Sequence, residues 1–188
     1  MLRTMAILLA AALSTGAQLA QSFPHTAKNG RATAVYRHEG LTFVANYDYS
    51  QRNHDRPWLL IDVALGSNTR FVLHRDNFSL VTPGGQTLTL ASQEQGEGDP
   101  NGINTLIQNA RIQRRDLSGY FPQRRQEALH FVSLPFSRSI SDEGIVDNDR
   151  VTTGPLLFLS PDGSWPKGTY RLALDNERAK AALPITLE

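Results

Sequence analysis

The residues best suited to do chemistry in this sequence are five arginines between positions 111 and 125. Arginine binds carboxylate and phosphate groups through the parallel N–H groups of its planar guanidinium. Two aromatic residues lie among the arginines, and we expect both rings to be exposed, because an exposed aromatic pair beside arginines is typical of protein interaction surfaces. These residues predict a surface that binds a protein or an anion. It consists of Arg111, Arg114, Arg115, Tyr120, Phe121, Arg124 and Arg125. Two other roles stay open for the arginines: solvation of a helix face, and pairing with an acidic segment at 142–149.

That acidic segment is a second candidate site. It carries four carboxylates around Gly144, namely Asp142, Glu143, Asp147 and Asp149. Calcium takes six to eight oxygen ligands, and a loop this acidic supplies some of them. The spacing does not match an EF-hand loop, so a weak calcium site and a solvated acidic loop are both open interpretations.

Histidines are the third group with possible chemistry. The chain has five, at His25, His38, His54, His74 and His130, and no two are spaced i, i+2 or i, i+4. A metal site would therefore have to be assembled from separate strands, with His38 and His54 as one such pair. The sequence has no cysteine and no Gly-x-Ser-x-Gly motif. We therefore predict no catalytic residue and no cofactor, and the identity of any metal ligand is left open.

The N-terminus predicts export. Arg3 is followed by an apolar stretch over 6–13 and then by small residues, which is the pattern of a secretory signal peptide over 1–20. Cleavage is predicted after Ala17 or Ala20. Removing residues 1–20 removes one arginine and no acidic residue from a chain of formal net charge +1, so the mature chain is neutral. A neutral chain lacks the overall field that draws in nucleic acid, and we predict no membrane insertion after cleavage. The mature protein is expected to be soluble in the periplasm or outside the cell.

Alternating apolar and polar residues predict strands along most of the chain. The run 58–65 is almost continuously apolar, which predicts a central strand covered on both faces. The other predicted strands lie at 32–38, 41–49, 70–74, 78–81, 86–91, 128–134, 156–159, 169–174 and 181–187. The turn residues Pro83-Gly84-Gly85 predict a hairpin over 78–90. The predicted loops include 51–56, 93–102 and 137–154.

One segment has helical spacing instead. Apolar residues at 103, 106, 107 and 110 predict one short helix over 103–115, capped by Asn101, with arginines on its opposite side. The whole pattern predicts one antiparallel β-sandwich domain over 21–188, with a helical insert near 101–125.

The C-terminal part resembles the last strand pair of bacterial immunoglobulin-like domains. Pro166, Gly168 and Tyr170 match the Pro-x-Gly-x-Tyr segment that opens the penultimate strand in those domains. The resemblance covers about residues 156–187 and implies an immunoglobulin-like sandwich. It also implies a corner at which the Tyr170 hydroxyl bonds the backbone upstream.

These observations favour a non-catalytic exported binding module with a protein partner, in an oligomeric state that the sequence leaves open. The alternative is a metal-binding protein or an enzyme whose site is assembled from separated strands. A deep pocket that gathers titratable groups would favour this alternative.

Overall fold

The chain folds mostly into β-strands, as predicted. The structure is a computed structural model, and it describes residues 22–113, 115–132 and 143–188, without the side chain of Gln113. The predicted signal peptide lies outside these residues. Within the described part, no helix is long and apolar enough to cross a membrane.

Two sheets form the body of the molecule. The larger, six-stranded sheet has the order β1 (Thr26–Lys28), β2 (Thr33–His38), β3 (Leu41–Asn46), β4 (Trp58–Ser67), β10 (Arg150–Leu159) and β8 (Arg125–Ala128). The four-stranded sheet has the order β12 (Ala179–Leu187), β11 (Gly168–Asn176), β6 (Phe78–Val81) and β7 (Thr87–Thr89). A separate pair joins β5 (Phe71–His74) to β9 (Glu143–Val146). The predicted hairpin over 78–90 is confirmed by the antiparallel pairing of β6 with β7.

The main core lies between the two larger sheets. Phe43 of β3 meets Phe78 of β6 with ring centroids 6.3 Å apart, and both side chains are fully buried. The inward residues of β4 belong to the same buried cluster, and they are Leu59, Ile61, Val63 and Leu65. Two sheets stacked on one core are consistent with the predicted β-sandwich.

The outer face of the large sheet is covered as well. All ten residues of β4 are buried, which confirms that the apolar run is a central strand covered on both faces. Helix α3 (Pro100–Gln113) covers one part of this face, because Ile103 and Leu106 pack on Trp58 and Leu60. The predicted insert helix therefore exists and packs on the sheet. Its cap is Asp99, whose Oδ1 accepts the Gly102 N–H at 2.9 Å, and not the predicted Asn101.

Two further short α-helices were not predicted, and neither were two 3-10 turns at Arg75–Asn77 and Ser118–Tyr120. Helix α1 (Asp48–Arg52) replaces the end of the predicted strand 41–49, and α2 (Gln93–Gly98) lies in the predicted loop 93–102. Helix α2 begins with a reciprocal capping box. The Ser92 hydroxyl accepts the Gln95 N–H at 3.1 Å, and the Gln95 side chain accepts the Ser92 N–H at 2.8 Å.

Three other expectations about the strands are wrong. The predicted loop 137–154 contains β9 and the start of β10, because apolar Val146 and Val151 are buried on either side of a turn at Asp147. Strand β8 begins earlier than the predicted strand 128–134, whose last two residues lie outside the described part. Strand β8 also runs parallel to β10, so the sheet is not purely antiparallel.

The predicted corner at the C-terminal strand pair is present. The Tyr170 hydroxyl donates to the Pro166 carbonyl oxygen at 2.7 Å, and the ring is fully buried beside Trp165. Gly168 has a φ of 147°, which a residue with a side chain rarely adopts. Burial raises the pKa of Tyr170 to about 12.

We predict that Tyr170→Phe lowers the free energy of unfolding by about 1 kcal/mol near neutral pH, because it removes one buried hydrogen bond. A folded-state pKa raised from 10 to about 12 gives stability that is present below pH 10 and is lost as the pH rises towards 12. Urea unfolding near pH 8 and near pH 11 should therefore show a smaller alkaline loss in the variant than in the wild type. An equal alkaline loss in the two proteins would contradict this account.

Candidate functional site

The second half of the predicted insert is anchored on the outer face of the large sheet. Leu117 and Phe121 are 7% and 5% exposed, and they pack on Val35, Val44 and Ala64. Phe121 therefore stabilises the fold and is not available to a partner, so the expectation of two exposed aromatic rings is wrong for this residue.

Arg124 also has a structural role. Its guanidinium donates to the carbonyl oxygens of Ser67 at 3.4 Å and Asp147 at 3.2 Å, and to the Asn68 side chain at 3.1 Å. A Cβ on Gly66 would lie 2.5 Å from Arg124 Nη1 and 2.8 Å from the Phe121 ring. Gly66 thus lets both side chains lie directly against the strand.

Tyr120 lies next to this anchor but points its hydroxyl to the surface. The Asn29 amide donates to the Tyr120 hydroxyl at 2.5 Å, and the Arg37 guanidinium lies 6.0 Å from the centre of its ring. Arg115 Nη1 lies 3.6 Å from the position that a Cβ would take on Gly30. The structure therefore brings two arginines and one aromatic ring together, and we call Asn29, Arg37, Arg115 and Tyr120 the insert face.

The other predicted arginines are placed differently. Arg111 is exposed at the end of α3, and Arg125 is exposed on the edge strand β8. Arg114 lies outside the described residues. Of the seven predicted residues, Arg115 and Tyr120 belong to one exposed surface, while Phe121 and Arg124 hold that surface in place.

A pocket of about 390 Å³ opens beside Arg115. Its lining includes Asp62 of β4, Asp116 and His130, so three titratable groups reach it from separate segments. Asp62 is 7% exposed and lies on the outer face of the large sheet. It stands between Leu60, which packs with the residues of α3, and Ala64, which packs with Leu117 and Phe121. Hydrogen bonds from the Ser118 hydroxyl and N–H lower the pKa of Asp116.

No protein-family model, curated protein or solved structure matches this chain. The function must therefore be argued from the site itself.

The histidines do not converge on a metal site in the described part of the chain. His38 stacks on His25 with ring centroids 3.8 Å apart, whereas His54 contacts the Trp165 carbonyl oxygen at 3.1 Å. Across residues 22–113, 115–132 and 143–188, no three His, Asp or Glu side chains are grouped so that they could hold a metal ion.

The described part of the acidic segment, residues 143–149, stabilises the turn that leads into β10. Burial alone would raise the pKa of Asp147, but the N–H groups of Asp149 and Arg150 and the Arg150 charge hold it below the ordinary value. Glu143 Oε1 lies 3.8 Å from His74 Nδ1. Asp142 lies outside the described residues. Among the described residues, the guanidinium of Arg124 reaches this segment and donates to the carbonyl oxygen of Asp147 at 3.2 Å, which is a contact with the backbone and not with a carboxylate.

Two members of the insert face were missed from the sequence. Arg37 shares the outer face of β2 with Val35, since residues two apart on a strand point the same way. This alternation places Arg37 on the same face of β2 as Val35. It does not show that the insert packs on that face, so the sequence alone did not place Arg37 beside Tyr120. No sequence signal places Asn29 next to Tyr120.

Proposed function

We propose that this protein is an exported, non-catalytic binding module that contacts a carboxylate-bearing protein partner through the insert face. The observation that carries the proposal is the fixed position of Tyr120 between the Asn29 amide and the Arg37 guanidinium. A ring that is already held loses little conformational freedom on binding, which favours affinity. Tyrosine and arginine are also the residues most enriched among those that dominate binding energy.

The charges of the insert face suit an acidic partner. Arg37 and Arg115 are both exposed, and neither forms an ion pair with a carboxylate of the described residues. Each guanidinium is therefore available to bind a carboxylate through two parallel hydrogen bonds. Because the mature chain is neutral, this attraction is local and acts within about 8 Å at physiological salt.

Site-specific photo-crosslinking in the producing cell tests this proposal. Gly119 is exposed, and a Cβ built on it meets no atom of the described part of the chain within 4 Å, so a photoreactive side chain placed there points into open space beside Tyr120. We expect irradiation to give a covalent adduct with a second protein. Gly84 is a matched control, because it is exposed and a Cβ there meets only Thr82 Oγ1 at 3.8 Å, in the β6–β7 turn of the other sheet.

The two positions together decide the outcome. An adduct from residue 119 that is absent from residue 84 would support an insert-face partner. No adduct at residue 119, or the same adducts from both positions, would contradict the proposal.

The pocket beside Arg115 favours a second candidate function, which is an enzyme or a small-ligand-binding protein with a site assembled from separate segments. Asp62, Asp116 and His130 come from separate segments and line one cavity, as an assembled enzyme or ligand site would require. Failure of the crosslink at residue 119 would make this small-ligand pocket the leading candidate.

A further inference from the structure

A second cleft lies on the outer face, away from the insert face. It has a volume of about 340 Å³ and lies between the first turns of α3 and the segment that joins α1 to β4. This volume is in the lower part of the range of small-ligand pockets, which is about 300–1,000 Å³. We call it the α3 cleft.

The floor of the α3 cleft is apolar and fixed. It is formed by Trp58, Leu106 and Tyr49, which are 3%, 3% and 9% exposed. The Trp58 indole N–H donates to Asp99 Oδ2 at 2.8 Å, and Asp99 Oδ1 accepts the Gly102 N–H at 2.9 Å. Asp99 is the one carboxylate among the described residues that line the cleft, and both of its oxygens are therefore engaged within the protein.

The rim of the α3 cleft is polar and almost uncharged. Asn101, Thr105 and Asn109 are exposed on α3 at spacings of four residues, so they form one stripe along the helix. Asn53 faces them, and its amide donates to the Tyr49 carbonyl oxygen at 2.8 Å, which leaves its side-chain oxygen free to accept. Of the described residues, Arg56 is the one cation that lines the cleft.

This donor and acceptor pattern selects a class of ligand. Amide and hydroxyl groups both donate and accept hydrogen bonds, which matches the hydroxyl groups of a sugar. The apolar floor matches the C–H face of a sugar ring. The Asp99 carboxylate would repel a strongly anionic ligand, and among the described lining residues Arg56 alone would attract it. An apolar ligand would bury the side-chain amides of the rim without hydrogen-bond partners.

From these contacts we propose that the α3 cleft binds a neutral carbohydrate of one or two sugar residues. Asn101, Thr105 and Asn109 bond its hydroxyl groups, and Trp58 and Leu106 support its ring. The proposal is independent of the insert face and of any protein partner.

Two-dimensional NMR of the mature protein tests the proposal, with glucose, galactose, N-acetylglucosamine and their β-linked dimers as probes. We expect at least one sugar to cause saturable shifts of the Trp58 indole N–H and the backbone N–H groups of 101–109. The triple variant Asn101→Ala, Thr105→Ala, Asn109→Ala should bind that sugar at least about tenfold more weakly. These changes are on an exposed helix face and raise helix propensity, so α3 should stay folded.

The matched control is Gln108→Ala, because Gln108 is exposed on the same helix but does not line the cleft. This variant should bind as the wild type does. Two results would overturn the proposal: no saturable shift with any sugar, whether or not triglycine saturates the cleft, or equal affinity of the triple variant and the wild type for the sugar.

Discussion

Replacing Phe121 by alanine should lower the free energy of unfolding by about 3–5 kcal/mol, the cost typical of a buried phenylalanine. The Phe121 ring is 5% exposed and lies directly over Gly66 of the central strand. Its removal leaves a cavity between the insert and the outer face of the large sheet. A loss of this size is a large fraction of the total stability of a domain, which is about 5–15 kcal/mol.

The neighbouring aromatic residue is the control. Tyr120→Ala should cost only about 1 kcal/mol, because Tyr120 is half-exposed and its hydroxyl bonds one surface amide. Urea unfolding followed by the fluorescence of the two buried tryptophans, Trp58 and Trp165, measures both variants. Equal losses for the two variants would show that the insert is not anchored as described.

The second large effect concerns binding. The double variant Arg37→Ala, Tyr120→Ala should weaken the affinity for the crosslinked partner by about thirtyfold or more. Truncating one residue that dominates an interface costs at least about 2 kcal/mol, which corresponds to about thirtyfold in affinity. Arg37 and Tyr120 are neighbours, so their losses need not add, and about thirtyfold is the lower bound for the pair. Raising the salt concentration should weaken the wild-type complex, because the guanidinium charges of the insert face are exposed and are screened by salt.

The fold was largely predictable where one pattern dominated a segment. The apolar run of β4 predicted a strand buried on both faces, and the alternation around the Pro83-Gly84-Gly85 turn predicted the β6–β7 hairpin. The Pro166-to-Tyr170 segment predicted the hydrogen bond that closes the corner. In these segments the local preference and the tertiary packing agree.

The prediction was wrong where acidic or glycine-rich composition concealed local structure. The turn at Asp147 made the whole of 137–154 look like a loop, although Val146 and Val151 belong to strands. Two glycines in the 93–98 segment outweighed the Ser92-to-Gln95 capping box that begins α2. A local pattern alone does not show which of two opposing signals the tertiary packing favours.

The candidate site was only partly predictable for a different reason. The sequence predicted that Arg115 and Tyr120 share a surface, but the separate roles of Tyr120 and Phe121 depend on which ring meets Gly66. Asn29 and Arg37 come from the other end of the domain and reach the site through the order of the strands. Asp62, a carboxylate within an apolar run, was the one signal for the neighbouring pocket.

The most direct test of the insert face is the affinity of the crosslinked partner for three purified proteins, measured by isothermal titration calorimetry. These are the wild type, the Arg37→Ala, Tyr120→Ala variant, and Arg171→Ala as a control for an exposed arginine on the other sheet. We expect the double variant to bind about thirtyfold or more weakly than the wild type, and Arg171→Ala to bind like the wild type. Equal affinity of all three proteins would contradict the insert face as the binding surface.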